Sequence, residues 1–465
     1  MINKKSSGGE WYNEIIEAAS LVDKRYPVKG MNVLPPYGFK LVSLVDGIVR
    51  QEVNSYGFQE SMFPLLISRD QLSVEFEHVK GFEGQVFWVT RGGMDPLEVD
   101  LALRPTSEAA MYPMFSLWIR AHTDLPLKLF QIVTTYRYET KHTRAFIRDR
   151  EIHFFEAHTA HVDIEDSERQ MAEYRQIMKN IAQKLCLPYV INRRPEWDKF
   201  PGSQYSLAFD LILPSGRSLQ IGTIHQYGEN FARNYDIQYS DPAGERKFVS
   251  QTTYGMSGRL VAAIVFMHGD DKGLVLPPAV APVQFVIVPI PGENKNLDTY
   301  CIKLRDLIKS AGYRVHLDNR ESYTPGFKYN DWEMRGVPFR VEVGAREVEG
   351  GSVTLVPRNT GKRKKVNVDN LKEELESAVL KMQADLLDSA QKTMSELTVQ
   401  VSDLKNAKTS TGMIRLMWCG RKACADKIEE ETELSCLGYP QDDHGEGKCV
   451  VCSLPGKPAY FSRTY

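Results

Sequence analysis

Apolar residues recur at helical spacing from Trp11 to Val22 and from Phe39 to Val53, and the second helix runs into Phe58–Pro64, which reads as a strand. Further on, Gln85–Val89, Lys128–Thr135, Glu151–Ala157, Leu207–Leu213 and Ser218–Gly222 alternate or run apolar and β-branched, predicting strands of one large antiparallel sheet. Ile164–Leu185 mixes charged and apolar residues at helical period, whereas Arg259–His268 is apolar on most sides, as a helix buried under that sheet must be. This order is α+β, not strict alternation of strand and helix.

The pattern changes at Leu276–Pro282, whose three prolines cannot sit inside a helix or a central strand, so the chain crosses between domains near residue 280. Beyond it, strand Gln284–Pro289, helix Leu297–Ala311, strand Arg314–Asp318, helix Gly326–Gly336 and strand Phe339–Val343 predict a small parallel or mixed α/β domain. The amphipathic helix Asn370–Ala390 closes it. The divisions 1–280, 281–390 and 391–465 agree with the about three domains that 465 residues imply.

With 42% apolar and 25% charged residues the chain can bury a core and is too weakly biased for disorder. A formal net charge of −2 means that any nucleic-acid partner has to be held by local basic patches. The polar stretch Met1–Glu10 lacks a signal peptide's apolar core, and the longest oily run, Leu260–Met267, is far below membrane-spanning length, so a cytosolic protein with no membrane partner is expected. Of seven cysteines, five crowd the last division. Cys419-x4-Cys424 and Cys449-x2-Cys452 supply four thiolates in two close pairs, the pattern of a closed tetrahedral zinc site; Cys436 and His444 lack close partners and are read as bystanders.

The densest chemistry lies in Thr135-Tyr136-Arg137-Tyr138-Glu139, followed by a basic loop through Lys141, His142, Arg144, Arg148 and Arg150 and a return strand with Phe154, Phe155 and Glu156. Preorganised guanidinium groups suit attack at a phosphate, where negative charge builds up and the protein has little covalent work to do. This hairpin resembles motif 2 of class II aminoacyl-tRNA synthetases. Pro64 after a helix-strand unit fits motif 1 of that family, and Gly255-Met256-Ser257-Gly258-Arg259 leading into an apolar helix fits motif 3. The resemblance implies that Arg137 and Arg259 are catalytic, that Glu139 orients the adenine amino group, that Arg148 reaches the outer phosphates and that Phe155 stacks on the base. Arg259 would hold the γ-phosphate with its planar fork, beside Ser257. Magnesium would share the charge of the ATP phosphates, on ligands that the sequence does not name.

Leu103-Arg104-Pro105-Thr106-Ser107-Glu108 resembles the loop of prolyl-tRNA synthetases whose threonine and glutamate receive the secondary ammonium of proline, and two acceptors match its two protons. Gln220-Ile221-Gly222-Thr223-Ile224-His225 is similar to a second string of that family, in which glutamine and threonine contact ATP and histidine lies beside the amino acid. Arg137, Phe154, His158 and Phe209 complete the expected proline pocket. Further likenesses, such as Arg194–Pro201 and Gly273–Pro278, extend over nearly the whole chain and point to the archaeal and eukaryotic type, with no editing insertion between motifs 2 and 3. The chain departs from the usual pattern at Ala145-Phe146, Phe155 and Glu229.

The resemblance therefore implies a class II antiparallel-sheet catalytic domain over 1–280, an α/β anticodon-binding domain over 281–390 and a small zinc-binding α/β domain over 391–465. It implies a cytosolic homodimer that forms prolyl adenylate from ATP and L-proline and passes it to tRNA(Pro). Lys328, Glu333 and Arg340 are the anticodon-binding candidates, and Tyr465 matches a terminal tyrosine that reaches back to the catalytic domain. Two other readings share these motifs: a paralogue that makes an adenylate without charging tRNA, and a non-catalytic tRNA-binding subunit. Retention of all three phosphate arginines argues against the second.

Overall fold

The computed structural model of the chain describes residue 4 and residues 8–76 and 83–465, so part of the polar stretch Met1–Glu10 lies outside the described residues. Its centre is a long sheet in which the strands Leu127–Tyr136, Glu151–His161, Ser250–Ser257, Arg217–Gly228, Tyr205–Ile212 and Val190–Arg193 lie side by side and pair antiparallel. One face of this sheet is apolar. Phe155, Tyr254, Met256, Ile221 and Phe209 point from it into the main core, against the helices Ile164–Lys184 and Arg259–His268. The second helix is buried along almost all its length, as its uniformly apolar sequence requires.

Three expectations change at the first domain's margins. Of Phe58–Pro64 only Gln59–Glu60 is a strand, and it pairs parallel with Leu127–Tyr136. Pro64 has no N–H to offer a ladder, and the Gln131 side chain takes over as acceptor for the Phe63 N–H at 3.1 Å. The strand expected at Gln85–Val89 runs Phe87–Gly92 and belongs to a separate three-stranded sheet with Leu66–Ser68 and Asp95–Leu103. Ser218–Gly222 is the start of a longer strand, Arg217–Gly228, in whose second half Thr223 and His225 line a cleft while Ile224 between them enters the core.

The strands Phe285–Pro289, Val315–Leu317 and Phe339–Val343 pair parallel, and Ser352–Pro357 and Lys364–Asn367 extend them antiparallel into the mixed five-stranded sheet expected of the second domain. Its hydrophobic cluster includes Leu371, Leu375, Met382 and Leu386 of the closing helix Leu371–Glu396.

Residues 391–465 carry their own small core, yet their strands continue the catalytic sheet. Ser435–Pro440 pairs antiparallel with Val190–Arg193, and Arg463–Thr464 pair parallel with Arg217–Ser218. Gly438 sits at this seam with φ +104°, where an added Cβ would lie 2.1 Å from the Arg193 carbonyl oxygen, so only glycine fits. Arg194 crosses the same seam, donating to the Leu437 carbonyl at 3.1 Å and to the buried Asp210 carboxylate at 3.0 Å. No helix among the described residues is long and apolar enough to cross a membrane.

Candidate active site

The polar face of the catalytic sheet floors a cleft of about 950 Å³. Strand alternation decides which side chains enter it: Phe154 and Glu156 point into the cleft, while Phe155 between them points the other way. Across the sheet the register places Glu156 opposite Gly255 and Gly255 opposite Thr223. A Cβ at Gly255 would sit 3.1 Å from the Phe154 ring, so the glycine leaves room for that ring to lie along the floor.

Arg137, Arg148 and Arg259, from the hairpin and the start of the buried helix, all line this one cleft. Arg259 is aimed by two carbonyl oxygens, Ile147 on Nε at 3.0 Å and Gln220 on the guanidinium at 3.3 Å. Burial, and then the charges of Arg148 and Arg137, push its pKa down to about 10. Burial also lowers the Arg137 pKa, against the pull of Glu108, Glu156 and Glu139. Gathering like charges in a desolvated place costs stability unless an anion joins them, so this floor is built for a polyanion. Glu139 lies 3.7 Å from Arg148 at the rim, and its main-chain oxygen accepts from Arg150 Nε at 3.0 Å. Gln220, Thr223, His225 and Ser257 line the same space.

At one end stand Thr106 and Glu108, whose carboxylate accepts from the Thr106 hydroxyl and, at 2.9 Å, from Tyr227 Oη. The loop carrying them is pinned by Glu156. That fully buried carboxylate accepts from the Ser107 hydroxyl, from the Ser107 N–H at 3.2 Å, from Gln131 Nε2 at 2.9 Å and from His158 Nε2 at 3.2 Å. Burial works to raise the Glu156 pKa, but these donors, His158 first, outweigh it and hold the group below the usual carboxylate range. Burial likewise opposes charge on His158, and the Glu156 hydrogen bond with the Glu108 and Glu156 charges overcomes it and raises its pKa. His225 takes the opposite state: burial and then the His158 charge press it down to about 3, leaving a neutral ring whose Nδ1 is 2.7 Å from Ser206 Oγ.

Several expected contacts change. Phe155 is no platform for a base, because it is packed in the core with its ring 5.8 Å from Phe130 and 5.5 Å from Tyr254; Phe154 occupies the cleft side. Phe209 likewise belongs to the core, against Tyr189 and Tyr254. His158 lies beneath the cleft, bonded to Glu156 and Tyr112, instead of forming its wall. In the second domain Lys328 is buried and donates to the Asp318 carbonyl at 3.0 Å, which removes it as a phosphate ligand. Glu333 and Arg340 remain together, paired at 2.9 Å, beside a smaller cleft of about 150 Å³ where Asp270 and Arg358 join the first two domains.

Other residues of the site carry little or no sequence signal. Trp197, Asp198 and Phe200 overhang the cleft from the Arg194–Pro201 string, and Asn32 and Leu34 reach it from a loop without any motif. Glu156 belongs to the return strand of the motif 2 hairpin, but the sequence does not signal its bonds to Ser107 and Gln131.

In the C-terminal part, the Sγ atoms of Cys419, Cys424, Cys449 and Cys452 lie within 4.8 Å of one another, with Cys419 3.6 Å from both Cys424 and Cys452. These spacings exclude disulfides, whose sulfurs are about 2.05 Å apart, and match the roughly 3.8 Å edges of a tetrahedron with Zn–S of about 2.3 Å. Cys436 is buried in the neighbouring strand outside the group, as expected of a bystander.

Residues 87–268 match the tRNA synthetase class II core domain (G, H, P, S and T), residues 284–378 an anticodon binding domain, and residues 401–465 the C-terminal domain of prolyl-tRNA synthetase. The proline–tRNA ligase of Thermoplasma volcanium is 57% identical over 465 residues, covering 100% of both chains. The chain belongs to the prolyl-tRNA synthetase family. Among solved structures, the prolyl-tRNA synthetase of Giardia lamblia in complex with prolyl-adenylate superposes with a TM-score of 0.96 at 33% identity, covering 100% of this chain and 99% of that one. The Cryptosporidium parvum prolyl-tRNA synthetase complexed with halofuginone and AMPPNP gives 0.95 at 32% identity, with the same coverage. Family membership accords with residues of motifs 2 and 3 lining one cleft and with the order of the three matched regions.

Replacing Glu156 by alanine strands the buried Ser107, Gln131 and His158 donors, and is expected to destabilise the catalytic domain by about 3 kcal/mol. Urea unfolding followed by tryptophan fluorescence measures it; a change below about 0.5 kcal/mol would remove Glu156 from this role.

Proposed function

We propose that the chain is a proline–tRNA ligase: it condenses L-proline with ATP to prolyl adenylate and transfers the prolyl group to the 3′ end of tRNA(Pro). The observation that carries this reading is the convergence of Arg137, Arg148 and Arg259 on the one cleft that also holds the Thr106–Glu108 acceptors. A triphosphate laid along the arginines brings its α-phosphate toward the end where an amino acid can be held. A secondary ammonium donates its two protons to Thr106 Oγ1 and Glu108, and its carboxylate then faces Arg137 and the α-phosphorus.

Attack by that carboxylate builds charge on the phosphoryl oxygens, which Arg137 stabilises; pyrophosphate leaves along Arg148 and Arg259. The tRNA ribose hydroxyl next attacks the adenylate carbonyl and releases AMP, and no covalent bond to the enzyme is needed. Phe154 is the ring placed to stack on adenine, with Glu139 at the rim to accept from its amino group. Magnesium, when bound with ATP, supplies further charge neutralisation at the phosphates. Glu333 and Arg340, beside their own small cleft, suit the edges of unpaired anticodon bases.

Two further parts of the reading rest on chemistry outside the cleft. The four thiols, converging without disulfides, suit a structural zinc ion that pins the helix Lys422–Thr432 to the neighbouring strands. A homodimer accords with the exposed apolar residues Met62, Leu66, Leu117 and Trp118 around the motif 1 region; Met62 is 87% exposed. The setting is cytosolic.

Arg137→Ala is expected to reduce proline-dependent ATP–pyrophosphate exchange at least about a thousandfold while leaving the circular dichroism spectrum unchanged. Retained exchange would refute the role given to Arg137, and exchange with another amino acid but not proline would refute the substrate. Cys449→Ser should lower bound zinc, measured by mass spectrometry of the purified protein, and the thermal midpoint together, with a smaller effect on exchange. Equal metal content in both proteins counts against the site. Met62→Asp should shift the sedimenting species from dimer to monomer; a wild-type monomer would end the dimer proposal.

A further inference from the structure

The hairpin loop that carries Arg148 has an unusual backbone at Phe146: its φ is +64°, in the left-handed region that a bulky residue adopts only when its surroundings demand it. The surroundings are specific. The Phe146 N–H donates to Asp149 Oδ2 at 2.7 Å, closing the turn, and Asn32 Nδ2 donates to Asp149 Oδ1 at 2.9 Å from the N-terminal segment. The Phe146 ring packs against Gly258, where an added Cβ would be 3.1 Å from Cδ1. The next carbonyl, that of Ile147, is the one that holds Arg259 Nε. Two main-chain bonds tie the same segment to the strand: the N–H groups of Arg150 and Glu151 donate to the Gly30 carbonyl at 2.9 and 3.3 Å.

We propose that Asp149, held by Asn32, is a positioning residue for ATP: it fixes the Arg144–Asp149 turn so that the Ile147 carbonyl aims the Arg259 guanidinium at the outer phosphates and Arg148 lies beside it. This rests on the proline–tRNA ligase reading above. Asp149 acts at one remove, through the Phe146 N–H and the Ile147 oxygen, and touches neither substrate in this account. Its half-buried carboxyl sits at the cleft among mixed charges, with Lys24 favouring ionisation and Glu151 and the Tyr12 hydroxyl near by, and desolvation raises its pKa to about 7 despite the two hydrogen bonds. The hydrogen bonds that Asp149 accepts from the Phe146 N–H and from Asn32 offset part of both costs, the strain at Phe146 and the desolvation of the carboxyl, so the turn is held in shape before ATP arrives.

Pyrophosphate exchange measured against ATP and proline separately tests this. Asp149→Ala should raise the KM for ATP ~tenfold, the worth of one buried charged hydrogen bond, with the KM for proline changed less than about twofold. Asp149→Asn keeps an acceptor for the Phe146 N–H and should restore most of the ATP KM. Asn32→Ala, which leaves the turn-closing bond in place, should show a smaller effect in the same direction and serves if Asp149→Ala does not fold. An unchanged ATP KM in both alanine variants, or ATP and proline KM rising together, overturns the proposal. Absence of proline-dependent exchange in the wild type would instead overturn the ligase reading; equilibrium binding of ATP to the same variants then still decides the role of Asp149.

Discussion

Three half-buried guanidinium groups lining one cleft repel one another and give up part of their hydration, and the structure around them has to bear that cost. Part of it is met by carbonyl oxygens of Ile147 and Gln220 on Arg259, part by the carboxylates of Glu108, Glu139 and Glu156 around Arg137. The remainder is the affinity of the floor for a polyanion. Such a floor has to be rigid, because arginines free to swing apart would relax into solvent and lose the preorganisation that makes them useful.

Rigidity comes from the opposite face. Phe155, Tyr254, Met256 and Phe209 lock the strands onto two helices, so that the residues between them, Phe154, Glu156 and Gly255, keep fixed heights above the sheet. Glu156 then passes that order sideways to the Thr106–Glu108 loop through Ser107. One buried carboxylate thereby ties the Thr106–Glu108 end of the cleft to the strand that forms its floor.

Much of this was legible in the sequence. The helix Arg259–His268 has the bounds that its apolar run predicts, the strand Phe339–Val343 likewise, and the arginines and the cysteine pairs fall where their motifs put them. The failures share a cause. Phe154 and Phe155 are chemically alike, and only the register of a half-buried strand says which faces the cleft; the motif carries no such parity. Lys328 counted as a free cation because sequence does not reveal the Asp318 carbonyl that consumes it. Asn32 and Glu156 bond to partners distant in the chain; Asn32 belongs to no motif, and the motif that contains Glu156 does not reveal its bonds to Ser107 and Gln131. The third domain, legible as a unit from its cysteine cluster, has its own small core and matches a domain of its own; the two strand pairings that join it to the large sheet are long-range and silent in local composition.

That fusion has a consequence for how the chain reaches its native state. Arg194 and its partner Leu437 are separated by 243 positions, and until residues 435–464 have been synthesised the strand Val190–Arg193 is a raw sheet border. An unfinished chain therefore presents unpaired N–H and C=O groups to any neighbour, the condition under which strands add to the wrong molecule. A version trimmed to the catalytic and anticodon-binding parts would inherit the same exposed margin permanently, so the small cysteine-bearing module doubles as a cover against self-association.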